Sequence, residues 1–332
     1  MGIADALDRF QRRHRWAGLP LAVVYKYNDD QGNYLAALIA FYGFLSVFPL
    51  LLLLVTVLGY ALHSNADLQQ EVVSSAVAQF PVIGDQLASN IHSLHGNPLA
   101  LTVGLLGSVY GGLGVAQAAQ NAMNKIWGVP RHARPNAIKS RGISLLLLVI
   151  GGGLLLTTVL SALSTAAHAY GADLGAGSRA LTSVAAVVVN ALLFIFAFRV
   201  LTAREISTRQ VRGGAIAAAI TWQLLQVIGT YAVGHALKGA SATYGVFGLV
   251  LGLIAWIYLG AVTVLLCAEI NVVRAGRFWP RSLMTPFKDT ELTVGDRRAY
   301  ASYPATEQHK ESQNVDVDFD QPDSPHDPTA ER

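Results

Sequence analysis

Lysine and arginine fall in blocks along this chain, and the blocks alternate with long stretches that carry no charge. Arg9, Arg12, Arg13, Arg15 and Lys26 precede the first apolar stretch. The gap after it, 63–97, holds no basic residue. The next holds Lys125, Arg131, Arg134, Lys139 and Arg141, and the one after only Arg179. Arg199, Arg204, Arg209 and Arg212 follow, then Lys238 alone, then Arg274, Arg277, Arg281 and Lys288. Loops that stay in the cytoplasm retain Lys and Arg, because these charges resist translocation. The pattern predicts a multi-pass membrane protein with both termini cytoplasmic.

Composition agrees with that reading. Charged residues make up 14% of the chain, apolar residues 52%, and the mean hydropathy is positive. A helix needs about 20 apolar residues to cross the hydrocarbon core. Six stretches qualify, at about 34–62, 98–122, 143–168, 180–200, 213–237 and 245–270. They are continuous rather than alternating, which favours helices over the strands of a barrel. The expected fold is an all-α integral membrane protein with six transmembrane helices. The first stretch begins too late and runs too long for a cleavable signal peptide. The lone Cys267 lies inside the last stretch and reads as a packing residue.

The flanks divide differently. Residues 1–33 form a cytoplasmic unit in which Ile3, Leu7 and Phe10 recur at helical spacing among Asp and Arg, as in an interfacial amphipathic helix. Residues 19–32 then read as an interfacial elbow. The membrane domain spans 34–280. Residues 289–332 carry 11 acidic and 4 basic residues with few large apolar ones. The segment 281–332 is therefore expected to be an acidic, disordered cytoplasmic tail. In the outer loop 63–97, Leu68, Val72, Ala76 and Phe80, then Ile83, Leu87, Ile91 and Leu94, predict two short amphipathic helices. The basic body is explained by topology and by attraction to anionic headgroups, so membrane lipids are the expected partners and nucleic acid is not.

Polar residues inside the spans are the candidates for function. Gln117, Gln120, Asn121 and Asn124 lie at 0, 3, 4 and 7 on the second helix. Thr157, Ser161, Ser164 and His168 lie on one face of the third. Gln223 and Gln226 sit on the fifth and Asn190 in the middle of the fourth. Either these residues are interhelical glue, or they line a partly hydrated polar path. Pro49 in the first span is a packing kink or a hinge. Glu269 is the one acid within a span, and it is expected to form a cytoplasmic clasp with Asn271 and a base such as Arg199 or Lys125. Gly107 and Gly111, like Gly248 and Gly252, have the four-residue spacing that lets helices approach closely, within the chain or in a homodimer. Metal, cofactor and catalytic residues are not expected. His63, His92, His95, His168 and His235 show no ligand register, and no phosphate loop or nucleophile motif occurs. Asp29-Asp30 reads as a helix N-terminal charge effect.

Three stretches carry a family resemblance. The run from Tyr34 to Leu54, containing Phe48-Pro49, resembles the first helix of the YihY/BrkB family of bacterial inner-membrane proteins. Asn121-Ala-Met-Asn-Lys-Ile-Trp127 resembles the end of its second helix. Tyr244-Gly-Val-Phe-Gly248, Trp256-Ile-Tyr258 and Ala268-Glu-Ile-Asn271 resemble its last, with Val246 where the family often has proline. The lead-in Lys26-Tyr-Asn-Asp-Asp30 looks closest to the YhjD-like branch. The resemblance implies transport or export of a lipid-related envelope component, by a transporter or flippase-like protein. The alternative is a non-transporting scaffold for envelope-assembly proteins. The family was once labelled ribonuclease BN, but nuclease chemistry needs a metal or an acid–base cluster, and Asp29 and Asp30 are the only candidates for one.

Overall fold

A computed structural model of the chain describes residues 3–61, 98–136, 138–144, 176–283 and 292–319. All regular structure among them is helical. In chain order the helices are α1 (Ile3–Arg13), α2 (Arg15–Asp29), α3 (Gly32–Ala61), α4 (Pro98–Ile126), α5 (Ala176–Leu201), α6 (Thr208–Gly276) and α7 (Val294–Ser302). A helical stretch also covers 138–144, and short 3-10 turns cover Arg131–Ala133 and Pro304–Glu307. Three described stretches are long and apolar enough to cross a membrane: Val184–Leu201, Thr208–Ile228 and Val250–Gly276. The outer loop 63–97, most of the expected third span with Thr157, Ser161, Ser164 and His168, and residues 320–332 lie outside the described residues.

The outside of these helices is apolar. On α5, Val184, Val188, Leu192 and Phe196 are exposed and recur every four residues, one stripe along the helix. Ile216, Ile220, Leu224 and Val227 on the first arm of α6, and Leu38, Phe41 and Leu45 on α3, are exposed at spacings of three or four. In water, patches of this extent mark a contact surface. On helices of this length and hydropathy such faces are suited to lipid. The interior is built largely of alanine, including Ala36, Ala122, Ala197, Ala215, Ala219 and Ala268. Lipid tails are as apolar as leucine, so burial alone does not hold such helices together. Small residues let backbones approach and gain dispersion contacts instead.

Close approach is visible at particular glycines. A Cβ built on Gly111 of α4 would lie 2.6 Å from Ser46 Cβ on α3. One on Gly214 would strike the Cys267 carbonyl oxygen and the Asn271 side chain. That second contact also defines the path of α6. This helix is 69 residues long, yet Gly214 N–H donates to Asn271 Oδ1 at 2.6 Å. A straight helix would separate these residues by about 85 Å. The run therefore doubles back, and its two arms pack antiparallel, Gly214 beside Asn271 and Trp222 beside Gly260. The two pairs place the reversal near 241–243, in the gap expected between the spans 213–237 and 245–270. Phe194 of α5 meets Trp222 of α6 edge-on at 6.4 Å.

Two expectations for the flanks are corrected. Residues 15–29 form a regular helix rather than an irregular elbow, and the turn is confined to Asp30 and Gln31, with Gln31 at φ 59°. The region after 281 is not disordered throughout: 292–319 is described, and α7 is capped by a reciprocal pair. Asp296 N–H donates to Thr293 Oγ1 and Thr293 N–H to Asp296 Oδ2. Compositional reasoning missed this because the ordering comes from a few buried polar contacts, not from apolar burial.

Gly214→Ala is expected to destabilise the protein by about 1–3 kcal/mol, since the added methyl has no room. Gly142→Ala, with nothing within 4 Å of its Cβ, is expected to be neutral or stabilising by about 0.5–1 kcal/mol. Unfolding temperatures of the two purified variants in detergent check the contrast.

Candidate functional site

At one end of the bundle the chain buries charge. Helix α2 runs into α3 through Asp30-Gln31, and α4 and the second arm of α6 end beside them. Lys26 and Asp30 are four residues apart, so one helical turn brings them onto one face. Lys26 Nζ donates to Asp30 Oδ2 in a short ion pair, and Ile126 O of α4 accepts a second bond at 3.4 Å. Both side chains are almost fully enclosed, with residue exposures of 3% and 4%. Glu269 of α6 faces them with no exposure at all, and its two oxygens find no hydrogen-bond partner among the described residues apart from the neighbouring Asp30 carboxyl. Lys26 and Asp30 are the charged groups that act on it most strongly. Burial raises the Asp30 carboxyl above its ordinary range, with Lys26 working against the rise. Burial also pushes the Tyr27 phenol up to about 12, so it stays a donor, and it bonds Asn33 Oδ1 at 3.0 Å.

A second cluster adjoins the first. Arg281 is buried, with Nε 2.5 Å from Asp296 Oδ1 and Nη2 3.1 Å from Asp29 Oδ2. Its guanidinium lies over the rings of Tyr25 and Tyr300, at 5.7 and 5.1 Å. Asp296 also accepts from Ser282 N–H at 3.1 Å. Tyr303 O–H donates to Asp29 at 2.7 Å, and burial beside that carboxylate raises the phenol. The Tyr303 ring in turn sits 5.1 Å from Lys26 Nζ, which joins the two clusters. Helix α1 closes the far side. Asp8 Oδ1 accepts from Leu283 N–H at 2.8 Å, and Gln11 Nε2 donates to Arg281 O at 2.5 Å. Thus α1 buries its polar side and leaves Leu7 and Phe10 exposed.

The residues singled out from sequence are dispersed. Gln120 and Asn124 are buried and locally bonded. Gln120 Nε2 donates to Ser144 Oγ at 3.0 Å, Gln120 Oε1 accepts from Ser140 Oγ at 2.9 Å, and Asn124 Oδ1 accepts from Ala203 N–H at 2.7 Å. Gln117 and Asn121 are exposed, Asn190 is buried, and Gln223 and Gln226 are half-buried. Helix α3 runs through Pro49 without interruption. The expected clasp is not formed. Arg199 donates from Nε to Ile206 O at 2.9 Å, Lys125 donates to Gln31 Oε1, and Asn271 receives Gly214 N–H. Glu269 instead faces Lys26, which the sequence reading assigned to the interfacial unit. Asp29 and Asp30 are each ion-paired, Asp29 at the surface with Arg281 and Asp30 in the interior with Lys26, and are not a free N-terminal pair. The i,i+4 spacing of Lys26 and Asp30 was the available signal, whereas Arg281 and Asp296 had none.

Residues 23–288 match the family described as "Virulence factor BrkB". The chain belongs to the BrkB family. This is the YihY/BrkB family that the first, second and last spans resemble. Relatives include the inner membrane protein YhjD of Escherichia coli (strain K12), 25% identical over 289 residues, covering 80% of this chain and 83% of that one. A UPF0761 membrane protein of Pseudoalteromonas atlantica (strain T6c / ATCC BAA-1087) is 24% identical, over 71% of this chain and 78% of its own. The ribonuclease-like protein YfkH of Bacillus subtilis (strain 168) is 24% identical, over 75% and 92%. No solved structure matches.

Arg281→Gln is expected to cost about 3–5 kcal/mol, because it strands the buried Asp296 carboxylate. Glu307→Gln breaks the exposed Arg131–Glu307 pair, 2.8 Å long, and is expected to change stability by less than about 1 kcal/mol. Thermal unfolding, with limited proteolysis of 292–319 as a second readout, separates the two.

Proposed function

We propose that this BrkB-family membrane protein is a transporter or flippase-like protein of the bacterial inner membrane, moving an amphiphilic envelope lipid or related solute. The six apolar stretches are its spans, both termini are cytoplasmic, and α1 lies in the cytoplasmic interface with Leu7 and Phe10 toward the lipid. The observation that carries the reading is Glu269. It is a carboxyl inside a membrane-length helix, fully enclosed, with the Asp30 carboxyl as its side-chain hydrogen-bond partner and Lys26 beside it. Anchoring does not require such a group, and ionisable residues at membrane depth are costly enough that they mark functional paths by default. A change in the charge of this triad would alter the contact between α2 and α6 and so give the bundle a second arrangement.

The scaffold reading rests on a different observation. Residues 292–319 dock on the charged end, with Glu307 on Arg131 and Gln308 O accepting from His132 N–H at 3.2 Å. This makes a folded platform for envelope-assembly proteins. A ribonuclease reading draws on the name of YfkH, and the ion pairing of Asp29 and Asp30 counts against it.

Purified protein in vesicles is expected to move a headgroup-labelled phospholipid between leaflets faster than empty vesicles do. Glu269→Gln, in a preparation that stays monodisperse, is expected to slow that movement about tenfold, a barrier change of about 1.4 kcal/mol. Wild-type rates equal to those of empty vesicles overturn the transport reading. If Glu269→Gln is silent while loss of 292–319 abolishes partner assembly in cells, the scaffold reading replaces it.

A further inference from the structure

A cavity of about 870 Å³ opens between residues 133–143 and the segment 196–207 that joins α5 to α6. Three cations line it, Lys139, Arg199 and Arg204, against one carboxylate, Glu205. Arg199 is held in place by its bonds to Ile206 O and to Thr208 Oγ1, the latter at 3.3 Å. Lys139 and Arg204 make no side-chain hydrogen bond or ion pair among the described residues, so their donors are open to a ligand. The N-terminus of α6 begins at the same place, with Ser207 on the cavity wall, and its partial positive charge adds to the three cations.

One part of the wall is apolar. Phe196 and Ile143 line it, and Phe196 is the last residue of the exposed stripe Val184, Val188, Leu192, Phe196. That stripe rises about 18 Å along α5, slightly more than half of a hydrocarbon core about 30 Å thick. An apolar track one leaflet long thus ends in a cationic cavity.

We propose that this cavity binds the phosphate of an anionic phospholipid, with the acyl chain lying along the exposed stripe of α5. Basic pockets between membrane helices on the cytoplasmic side have this chemistry. Arg199 and Arg204 offer the planar donor fork suited to phosphate oxygens, and Lys139 offers a point charge. Glu205 opposes the anion, so it sets an upper limit on affinity. A zwitterionic headgroup carries a cation of its own and gains less from three positive neighbours. The site stands apart from the transport reading, because it requires binding and not movement.

The test uses the full chain purified in detergent, with adducts resolved by native mass spectrometry. The probes are short-chain phosphatidylglycerol, phosphatidylcholine of the same chain length, and inorganic phosphate. Phosphatidylglycerol is expected to bind at least about tenfold tighter than phosphatidylcholine, and less tightly as salt rises. The double variant Lys139→Gln/Arg204→Gln is expected to lose about tenfold in phosphatidylglycerol affinity while its lipid-free unfolding temperature is unchanged. Glu205→Gln is expected to gain affinity, which a merely structural role would not produce. Equal binding of the two lipids overturns the proposal, as does an unchanged double variant. Inorganic phosphate binding as tightly as phosphatidylglycerol overturns the lipid assignment and leaves a site for soluble phosphate. Lipid movement between leaflets is a separate measurement, so loss of either result is distinguishable from loss of the other.

Discussion

The charged end of this protein turns on one buried guanidinium. Arg281 is enclosed on every side, and a buried charge is tolerated only where partners surround it. Those partners come from distant parts of the chain: Asp29 from the end of α2, Asp296 from α7, and the Tyr25 and Tyr300 rings from two further turns. Its backbone carbonyl holds Gln11 of α1. One residue therefore fixes the first thirty residues against the segment after the last span. The ion pairs do not drive folding so much as specify it, since any other docking of α1, α2 or α7 leaves a charge stranded in a dry place.

The body of the bundle follows the opposite rule. Its exterior is leucine, valine, isoleucine and phenylalanine, and its interior mixes alanine with larger side chains such as Met123, Phe194, Phe198, Leu253 and Leu265 and a few polar groups. Gln120 and Asn124 show what the satisfied groups do. Each ties α4 to a neighbouring segment, Gln120 to 140–144 and Asn124 to the α5–α6 connection. Contacts of this kind contribute about 0.6 kcal/mol each on average. They are joints, and the functional weight moves from the polar stripes to the buried carboxyl pair of Glu269 and Asp30 beside Lys26.

Much of this was legible from residue pattern, and the failures have physical causes. Long apolar runs and the spacing of basic residues point to membrane helices because the bilayer imposes a length and a charge rule on any sequence. The joining of α2 to the last span was hidden, because Lys26 lies outside the apolar runs and its partner Glu269 is 243 positions away. Reading 19–32 as an elbow concealed that Lys26 and Asp30 share a helical face. The order in 292–319 was hidden for a related reason. Composition measures how much apolar surface a segment can bury, and it is blind to a capped helix held by one ion pair.

The end of α4 links the two polar features. Ile126 gives its carbonyl to Lys26 of the buried triad, while Asn124, two residues earlier, holds the backbone of Ala203 on the wall of the cationic cavity. The Ile126 contact is buried and the Asn124 contact partly so, and a helix end transmits displacement as a rigid body over so short a span. Ile126 and Asn124 lie within one turn of α4, so the Lys26 contact and the Ala203 contact are anchored to the same rigid element. The triad and the cavity thus share one mechanical element. A headgroup seated between Arg199 and Arg204 would bias the position of that element, and by reciprocity the protonation of the triad would bias the affinity for the headgroup.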